Sequence, residues 1–377
     1  MKFFILIIVT DILIFNNQSM IKGNLIKFND DDPKPKGYVS RKITHNIEIN
    51  GDLDKKEWSI AEWTEPFVDI EGKDIKTPRF ETRMKMMHND EFFYVCAHMK
   101  EPHLVATLKE KNSVIYHDND FEVFIDPNWS SHQYTEFEMN AFNTIWSLLI
   151  INPYRDGYNI VNPYPIPGLI SAVKLMGTLN DPSDIDEGWN VEIAFPWSIL
   201  KQFANVSVPP KDGDIWRMNF SRVEWKYDIQ DGAYVKRPNT PEDNWVWTPQ
   251  WEINMHKPEM FGFVQFSSKE QGKFIFPQTR WEIQQILFFI YQSQKEYLRK
   301  YDKYAQSYSE LFITEESFLK KQSLSSSTSQ DIKLNLILLD QVYGYDASIL
   351  LLNDKLEFTE VFHVRNDSKQ WKTIQKN

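Results

Sequence analysis

Short runs of alternating apolar and polar residues recur from residue 43 to about residue 266, with turn residues between them. Alternation with a period of two is typical of a β-strand that buries one face. Many short strands at close spacing predict an all-β fold, an antiparallel β-sandwich of jelly-roll type. The predicted strands are 43–49, 80–87, 92–99, 121–126, 134–141, 144–151, 169–176, 189–195, 214–224 and 261–266.

Helical patterns are few in this sequence. A short helix is predicted after Pro196, at residues 197–202, and another at residues 54–59. From residue 280 to residue 312, apolar residues recur every three or four positions, and this spacing predicts an amphipathic helix. We expect the apolar face of this helical extension, residues 280–312, to pack back on the sandwich.

Beyond this helix the pattern returns to that of strands. The serine-rich stretch 322–329 predicts a flexible linker. Residues 332–339 and 348–364 have the apolar content and alternation of strands. Together they predict a small β-strand appendage over residues 331–372, to which the sequence assigns no function.

The N-terminus combines one basic residue with an apolar run. Lys2 precedes a stretch that ends near Phe15 and is interrupted by Asp11, so residues 1–20 are predicted to be a signal peptide. A buried strand and a weak membrane anchor are the alternatives, because the run is short for a membrane span. The polar residues 21–42 predict a linker. The expected location is therefore secreted or at the cell surface.

Composition narrows the classes of function. A net charge of −11, without a block of basic residues, argues against a nucleic-acid partner. The chain has only 13 glycines and no glycine-rich loop that would bind phosphate. An aromatic content of 15% suits both strands and surfaces on which flat ligands stack. The single cysteine, Cys96, cannot form an internal disulfide, and we expect it to be buried.

The stretch Asp118-Asn-Asp-Phe-Glu-Val-Phe-Ile-Asp-Pro127 carries the most informative pattern. Three apolar residues alternate with Glu122 and Asp126, so one face of this strand is buried and the other points to solvent or a ligand. Carboxylates are thereby placed where a sheet meets its loops. Hydroxyl-rich ligands or a hard cation can be bound at such a place.

Four segments of the chain, in order, resemble the family 9 carbohydrate-binding modules. They are Ile49-Asn-Gly-Asp-Leu-Asp54 with Trp58; Arg83-Met-Lys-Met-Met-His-Asn-Asp-Glu-Phe-Phe-Tyr-Val95 closing at Glu101-Pro102; Asn119-Asp-Phe-Glu-Val-Phe-Ile-Asp126; and Trp245-Val-Trp-Thr-Pro249 with Pro258-Glu-Met-Phe-Gly-Phe-Val264. The resemblance covers about residues 43–267, and the helix at 280–312 looks like the extension of longer relatives. It implies a β-sandwich that binds sugar chain ends, often beside glycoside hydrolase domains.

The resemblance also implies binding residues. In the sugar-binding members two aromatic plates sandwich a pyranose, while a Glu and an Arg take its hydroxyls. Tyr116 falls at one plate and Glu122 at the Glu; the alternatives are a loop aromatic and a solvated strand residue. The Arg position falls on Glu138, which departs from the family. Asn140 shares a face with Glu138, and both are expected to line the surface of Glu122.

The resemblance places the second plate in the loop before Pro258. Alignment puts Met255 near this position. Trp251 and His256 are the exposed candidates for the plate, whereas Trp247 is predicted to belong to the core. Trp251 is therefore predicted to be the second ligand-binding aromatic residue.

Two further predictions concern cations. Arg222, in strand 214–224, is a candidate for the missing positive charge at the site, and the alternative is a structural ion pair with Glu138. The best-known members of the family hold structural calcium, and Asp52 and Asp54 are candidate ligands in a turn. An Asx turn without a metal is the alternative for these two residues.

Other functions remain open beside noncovalent binding of an oligo- or polysaccharide in support of carbohydrate catabolism. Paired acids among Asp118, Asp120, Glu122, Glu136 and Glu138 would suit a glycoside hydrolase. A remote alternative is a sandwich that binds haem b between axial ligands drawn from Met86, Met87, His88, His98, Met99 and Met255. The third alternative is an adhesion or structural sandwich that has lost sugar binding.

Overall fold

The structure is a computed structural model that describes residues 3–4, 34–269, 272–307, 310–311, 332–340, 344–353 and 358–376. These residues form two compact units, a larger one of residues 35–276 and a smaller one from the described parts of 1–34 and 277–377. The predicted linker 322–329 lies outside the described residues, as does the predicted signal peptide apart from Phe3 and Phe4. None of the described helices is long and apolar enough to cross a membrane.

The chain is mostly β. The strands are β1 (Phe3–Phe4), β2 (Gly37–Lys42), β3 (Val68–Asp69), β4 (Thr82–His88), β5 (Phe92–Lys100), β6 (Asp120–Asp126), β7 (Tyr134–Asn140), β8 (Ile145–Ile150), β9 (Ile160–Val161), β10 (Ile170–Met176), β11 (Gly188–Pro196), β12 (Ile215–Glu224), β13 (Tyr227–Gln230), β14 (Ala233–Lys236), β15 (Asp243–Val246), β16 (Gly262–Ser267), β17 (Ile332–Asp340), β18 (Gly344–Asn353), β19 (Phe358–Arg365) and β20 (Gln370–Lys376). The α-helices are α1 (Trp197–Leu200) and α2 (Gln278–Tyr301). Among the described residues, four 3-10 helices span Lys56–Ile60, Ile115–His117, Tyr154–Asp156 and Pro258–Met260.

One sheet of 13 strands dominates the larger unit, beside the separate hairpin β13–β14. Its order is β10-β11-β5-β4-β2-β16-β12-β6-β7-β8-β9, and β15 pairs with both β12 and β3. Strand β2 runs parallel to both of its neighbours, β4 and β16, whereas the other described pairs are antiparallel. Strand β2 thus joins two antiparallel halves of the sheet.

The core of the larger unit draws on both halves. Met86, Val95 and Ile193 come from one half, and Val123 and Phe220 come from the other. Because side chains alternate along a strand, the opposite faces carry their own apolar clusters. One of these surrounds Trp58 and includes the buried Cys96, and the other surrounds Phe124 and Trp146. The prediction that Cys96 is buried is therefore confirmed.

The predicted strands from 80–87 to 261–266 all occur, and their ends lie within two residues of the predicted ends. The predicted helix after Pro196 is confirmed at α1, and the one predicted at 54–59 is the 3-10 helix Lys56–Ile60. The all-β sandwich class is confirmed as well. Regular alternation of apolar and polar residues thus sufficed to locate most of the sheet.

The strand predicted at 43–49 is wrong. The strand at this place is β2, Gly37–Lys42, which lies inside the segment predicted as the linker 21–42. Ile43 and Ile47 are buried, but they pack in a loop against the Trp58 cluster. Their apolar spacing therefore reflects loop burial and not a strand.

In the smaller unit, β1, β18, β19 and β20 pair in that order, and β17 pairs with β18. Ile283, Leu287 and Tyr291 of α2 pack with apolar residues of β18 and β19. The prediction that this helix packs on the sandwich is therefore wrong for its buried face. Residues 348–364 also form two strands, β18 and β19, and not one.

The helix predicted over 280–312 ends at Tyr301. Asp302 adopts the left-handed conformation, with φ of 55°, and its N–H donates to the Leu298 carbonyl. A left-handed residue at this position is a common helix stop. The apolar residues beyond it, Tyr304, Ala305 and Leu311, are buried in the same cluster, so their spacing continued the helical pattern without continuing the helix.

We predict that His88 destabilises the larger unit at acid pH. Burial lowers the pKa of His88 to about 4, and its Nδ1 lies 3.0 Å from the Ser40 hydroxyl. The unfolded chain then binds more protons than the folded chain between about pH 4 and pH 6.5, so stability falls as the pH is lowered through this window. We expect a loss on the order of 2 kcal/mol from pH 7.5 to pH 5 through this group.

Urea unfolding of the wild type and of His88→Gln at both pH values measures this loss. The stability difference between the two proteins should change by about the expected amount between the two pH values. If it is the same at pH 7.5 and pH 5, the histidine is not responsible for acid sensitivity.

Candidate functional site

Strands β6, β7 and β12 place a row of polar residues on the face of the sheet opposite the core. Glu122 of β6 lies opposite Glu138 of β7 and opposite Ser221 of β12. One step along the face, Asp120 lies opposite Asn140. The apolar residues between them point into the core, as the alternation predicts. The predicted pairing of Glu122 and Glu138 on one surface is present in the structure.

These carboxylates form a compact cluster that we call the acidic floor: Asp120, Glu122, Glu136 and Glu138. One oxygen each from Asp120, Glu122 and Glu138 lie within 4.8 Å of one another. The side chains are almost fully buried, with 5% of Glu122 and 1% of Glu138 exposed. This corrects the alternative of a solvated strand residue for Glu122.

Burial changes the chemistry of the acidic floor. It raises the pKa of Glu122 to about 7. Burial, followed by the charge of Glu122, raises the pKa values of Asp120, Glu136 and Glu138 well above their usual range. Four carboxyl groups packed this closely cannot all be ionised without a compensating positive charge.

Tyr116 lies at the edge of the acidic floor and is 38% exposed. Its backbone N–H donates to Glu138 Oε2 at 2.9 Å. Its ring lies 6.5 Å from the ring of Trp146, which is directly opposite Glu138 in β8. Two residues that the sequence placed at the site are therefore in contact: the backbone of Tyr116 is bonded to the side chain of Glu138.

A second group of aromatic residues surrounds His256. The rings of His256 and Tyr154 lie 4.0 Å apart, and Tyr154 stacks on the exposed Tyr158 at 5.2 Å. His256 Nε2 is 3.8 Å from Glu136 Oε1. Burial lowers the pKa of His256 to about 3, so this histidine is neutral at pH 7 and does not offset the charge of the acidic floor.

Sequence reasoning missed three aromatic residues at this site. Tyr154 and Tyr158 lie in the loop that follows β8. Two tyrosines close together after a predicted strand were the signal in the sequence that could have identified them. Trp225 donates its indole N–H to the Tyr116 carbonyl at 2.8 Å. The Lys236 ammonium lies 3.6 Å from the centre of the Trp225 ring. These contacts fix the loop that carries Tyr116.

Arg222 does not supply a positive charge to the acidic floor. Ser221 faces Glu122, so the next residue of the strand points to the opposite, core face. Arg222 Nη2 lies 2.7 Å from Glu101 and 2.9 Å from Glu224, and the side chain is fully buried. Both predictions for Arg222, hydroxyl binding and an ion pair with Glu138, are therefore wrong.

Asn140 is buried and its amide is used inside the protein. Its Nδ2 donates to the Leu108 carbonyl at 2.8 Å and to Asp118 at 2.9 Å, and its Oδ1 accepts the N–H groups of Phe142 and Thr144. An amide with these partners holds a turn and has little capacity for a ligand hydroxyl. The prediction that Asn140 binds hydroxyls is corrected accordingly.

The other predicted plate residues have mixed positions. Trp247 is buried in the core, as predicted. Trp251 is exposed, but its ring lies against Gly72 and its backbone N–H donates to the Ile70 carbonyl. Met255 is partly buried against the Phe124 cluster. Of the loop candidates, His256 thus reaches the acidic floor at Glu136, Met255 packs on the apolar cluster, and Trp251 contacts a different loop.

Asp52 and Asp54 lie in an exposed turn. The Asp52 carboxylate accepts the Asp54 N–H at 3.2 Å and lies 3.3 Å from the Lys174 ammonium. The hydrogen bond to Asp54, and then Lys174, lower the pKa of Asp52. This geometry is that of an Asx turn. Calcium at these two residues stays a prediction.

The fully buried side chain of Glu192 holds the same turn in place. Its carboxylate accepts the N–H groups of Asn50 and Gly51 and the indole N–H of Trp58, each within 2.9 Å, and it pairs with Lys55 at 2.7 Å. Gly51 has φ of 80°, which a residue with a side chain rarely adopts. The core position predicted for Trp58 is confirmed.

The candidate haem ligands occupy ordinary structural positions. Met86 and Met99 belong to the core, and Met87 lies in the Trp58 cluster on the opposite face. His88 contacts the Ser40 hydroxyl, and His98 contacts Asn190 at 2.8 Å. Packing and hydrogen bonding therefore account for these side chains.

Comparison with known proteins places the chain among carbohydrate-binding domains. The model of the carbohydrate family 9 binding domain-like family matches residues 49–251. No curated protein matches the chain. Among solved structures, a candidate carbohydrate-binding protein from Bacteroides uniformis is similar at 18% identity with a TM-score of 0.46, over 62% of this chain and 100% of the other.

Two further structures are a family 9 carbohydrate-binding module from Caldicellulosiruptor kristjanssonii, bound to cellotriose and to glucose. The first is 17% identical and the second 18% identical. Each has a TM-score of 0.41 and covers 64% of this chain and 100% of its own.

Proposed function

Since the chain belongs to the carbohydrate family 9 binding domain-like family, we propose that it binds carbohydrate noncovalently at the exposed rings beside the acidic floor. We call these rings, Tyr116 and Tyr158, the aromatic rim. The observation that carries this proposal is the position of Tyr116, an exposed ring held at the edge of the acidic floor by its hydrogen bond to Glu138. An exposed ring on a fixed backbone can stack on the apolar face of a sugar at little cost in entropy.

The acidic floor supports this proposal by fixing the rim. Glu138 is buried and accepts the N–H of Tyr116, and Trp225 donates to the carbonyl of the same residue. The backbone on both sides of the ring is thereby tied to buried groups. The ligand is then an oligo- or polysaccharide that lies on Tyr116, with the exposed Tyr158 as a neighbouring ring.

We infer further that the chain acts outside the cell, in support of carbohydrate breakdown. This rests on the apolar pattern of residues 1–20 in the sequence. Expression of the full chain in a secreting host, followed by N-terminal sequencing of the protein in the medium, tests it. Retention of residues 1–20 in a protein that stays inside the cell would contradict the inference.

Replacing Tyr116 with alanine is expected to weaken sugar binding by about 1–3 kcal/mol, the contribution of one stacked aromatic contact. Titration calorimetry with cellotriose and with glucose measures the loss. Trp63→Ala is the matched control, because Trp63 is equally exposed, at 39% against 38%, and contacts Lys85 instead. Equal affinities of wild type and Tyr116→Ala would place the binding surface elsewhere.

Three results would extend or redirect the proposal. Trp251→Ala tests the predicted second plate, and a loss as large as that of Tyr116→Ala would show that both rings hold the sugar. Hydrolysis of a glycan by the purified protein, abolished in Glu122→Gln and Glu138→Gln, would show a glycoside hydrolase. Failure to bind any member of a glycan array would favour the adhesion or structural alternative.

A further inference from the structure

The acidic floor concentrates negative charge without a basic partner. In the described part of the chain, no lysine or arginine forms an ion pair with Asp120, Glu122 or Glu138, and the nearby Arg222 is held by Glu101 and Glu224 on the opposite face. Buried carboxylates are normally paired with a cation or with hydrogen-bond donors. The arrangement therefore requires either retained protons or a positive ion.

Unpartnered polar atoms accompany this charge. Within the described residues, Asp120 Oδ2, Glu136 Oε2 and Ser221 Oγ are buried without a hydrogen-bond partner. Ser221 is fully buried and lies directly opposite Glu122, on the face of the acidic floor. Asp120 belongs to the group of close carboxylates and Ser221 faces Glu122, so lone pairs at the acidic floor are left without a donor.

We propose that Asp120, Glu122 and Glu138 bind one calcium ion, with Glu136 and Ser221 as the adjoining oxygen groups. Calcium takes oxygen ligands only, at about 2.3–2.6 Å, in flexible geometry. An ion of this size spans oxygens up to about 5 Å apart, twice that bond length. The three carboxylate oxygens lie within 4.8 Å of one another, a spacing that suits one such ion.

The same set of ligands disfavours magnesium and zinc. Magnesium demands near-ideal octahedral geometry, usually keeps several waters and binds through one or two carboxylates, whereas the acidic floor offers three buried ones. Zinc prefers nitrogen and sulfur ligands. The acidic floor offers oxygen alone, because the adjacent His256 is hydrogen-bonded to the Tyr134 hydroxyl through Nδ1 and lies 3.8 Å from Glu136 through Nε2.

Through Glu138, the ion would also affect Tyr116, the ring on which the sugar is proposed to stack. Glu138 Oε2 accepts the N–H of Tyr116, so an ion that holds this carboxylate also fixes the backbone of the ring. This consequence rests on the proposed function, whereas the calcium site itself does not. Binding of sugar is expected to weaken several-fold when calcium is removed.

Calcium binding to the full chain can be measured directly. After treatment with EDTA and dialysis, titration calorimetry with Ca²⁺ is expected to give one site whose affinity falls about 10–100-fold in Glu122→Gln and in Glu138→Gln, as one of its carboxylate ligands is lost. Asp90→Asn is the matched control, since the Asp90 side chain is 80% exposed and pairs with Lys42, and it should leave this site unchanged. Near-ultraviolet circular dichroism checks that each variant is folded.

Terbium luminescence tests where in the protein the ion binds. Tb³⁺ replaces Ca²⁺ at oxygen sites and luminesces when a nearby tryptophan is excited. Trp146 lies directly opposite Glu138, so sensitised luminescence is expected in the wild type, to be competed by Ca²⁺, and to be lost in Trp146→Phe. Mg²⁺ should compete much more weakly.

Three outcomes would overturn the site. They are the absence of a stoichiometric Ca²⁺ titration, binding that survives both glutamine variants, and loss of binding in Asp90→Asn instead. The first would mean that the carboxyl groups share protons. Calcium binding without sugar affinity would refute only the proposed function, and sugar affinity that is equal in EDTA and Ca²⁺ would refute only the coupling to Tyr116.

Discussion

Replacing Glu192 with alanine is expected to lower the free energy of unfolding of the larger unit by about 3–5 kcal/mol, the usual cost of removing one partner of a buried ion pair. The change leaves the N–H groups of Asn50 and Gly51 and the indole N–H of Trp58 without this acceptor, and the Lys55 ammonium keeps the Glu48 carbonyl but loses its counter-ion. Since Trp58 is fully buried, water cannot replace the lost bond at its indole.

Urea unfolding at pH 7, followed by tryptophan fluorescence, measures this loss. Glu192→Gln is the matched control, because its amide oxygen can still accept one or two of the N–H groups while the pairing with Lys55 is lost. We expect it to be clearly more stable than the alanine variant. A loss below about 1 kcal/mol in Glu192→Ala would mean that the turn holds its shape without this anchor.

Replacing Arg222 with methionine is expected to cost a similar amount, about 3–5 kcal/mol, because it leaves the buried Glu101 carboxylate without its cation and leaves Glu224 with the longer 3.5 Å contact to Arg79. Arg222 lies 2.7 Å from Glu101 and 2.9 Å from Glu224, and it donates to the Lys100 carbonyl at 2.9 Å. Methionine preserves much of the volume of the side chain, so the loss reports the charges and not a cavity. Thermal and urea unfolding of the full chain measure it.

The triple variant Arg222→Met, Glu101→Gln, Glu224→Gln separates the two components of this loss. Once the carboxylates are neutral, most of the stability should return, since replacing a complete buried ion-pair network is often close to neutral. A triple variant that is as unstable as Arg222→Met alone would show that packing, and not charge, governs this position.

The sequence predicted the fold well because alternation is a direct imprint of the sheet. Strand β6 illustrates this: Phe121, Val123 and Ile125 point to the core, and Glu122 points away. Strand β2 escaped prediction because its segment begins among prolines and acids, and its two buried residues, Tyr38 and Ser40, give too short a pattern. Its place depends on parallel pairing with distant strands, which a local pattern does not contain.

The candidate site was predicted in part. The sequence placed Glu122 and Glu138 on one surface and Tyr116 beside them, because the strand register follows from the apolar phase. It misplaced Arg222, although Phe220 and Arg222 have the same phase in β12 and therefore share the core face. A charged residue in a core phase signals a buried ion pair, and its partners were too far away in sequence to be identified.

Burial was the second property that the sequence did not supply. Glu122 and Glu138 were expected to meet a ligand directly, yet the structure covers both. Tyr154 and His256, which pack together beside Glu136 of the acidic floor, come from loops whose paths local patterns do not determine. What a strand pattern gives is the face on which a side chain lies, not what is packed above it.

The parallel strand β2 has a practical consequence for recombinant work. The family match ends at residues 49 and 251, so a fragment cut at those limits lacks both β2 and β16, the adjacent strands at the middle of the sheet. Such a fragment would expose unpaired edges on β4 and β12, which invite aggregation. Soluble truncations should therefore begin before Gly37 and extend past Ser267.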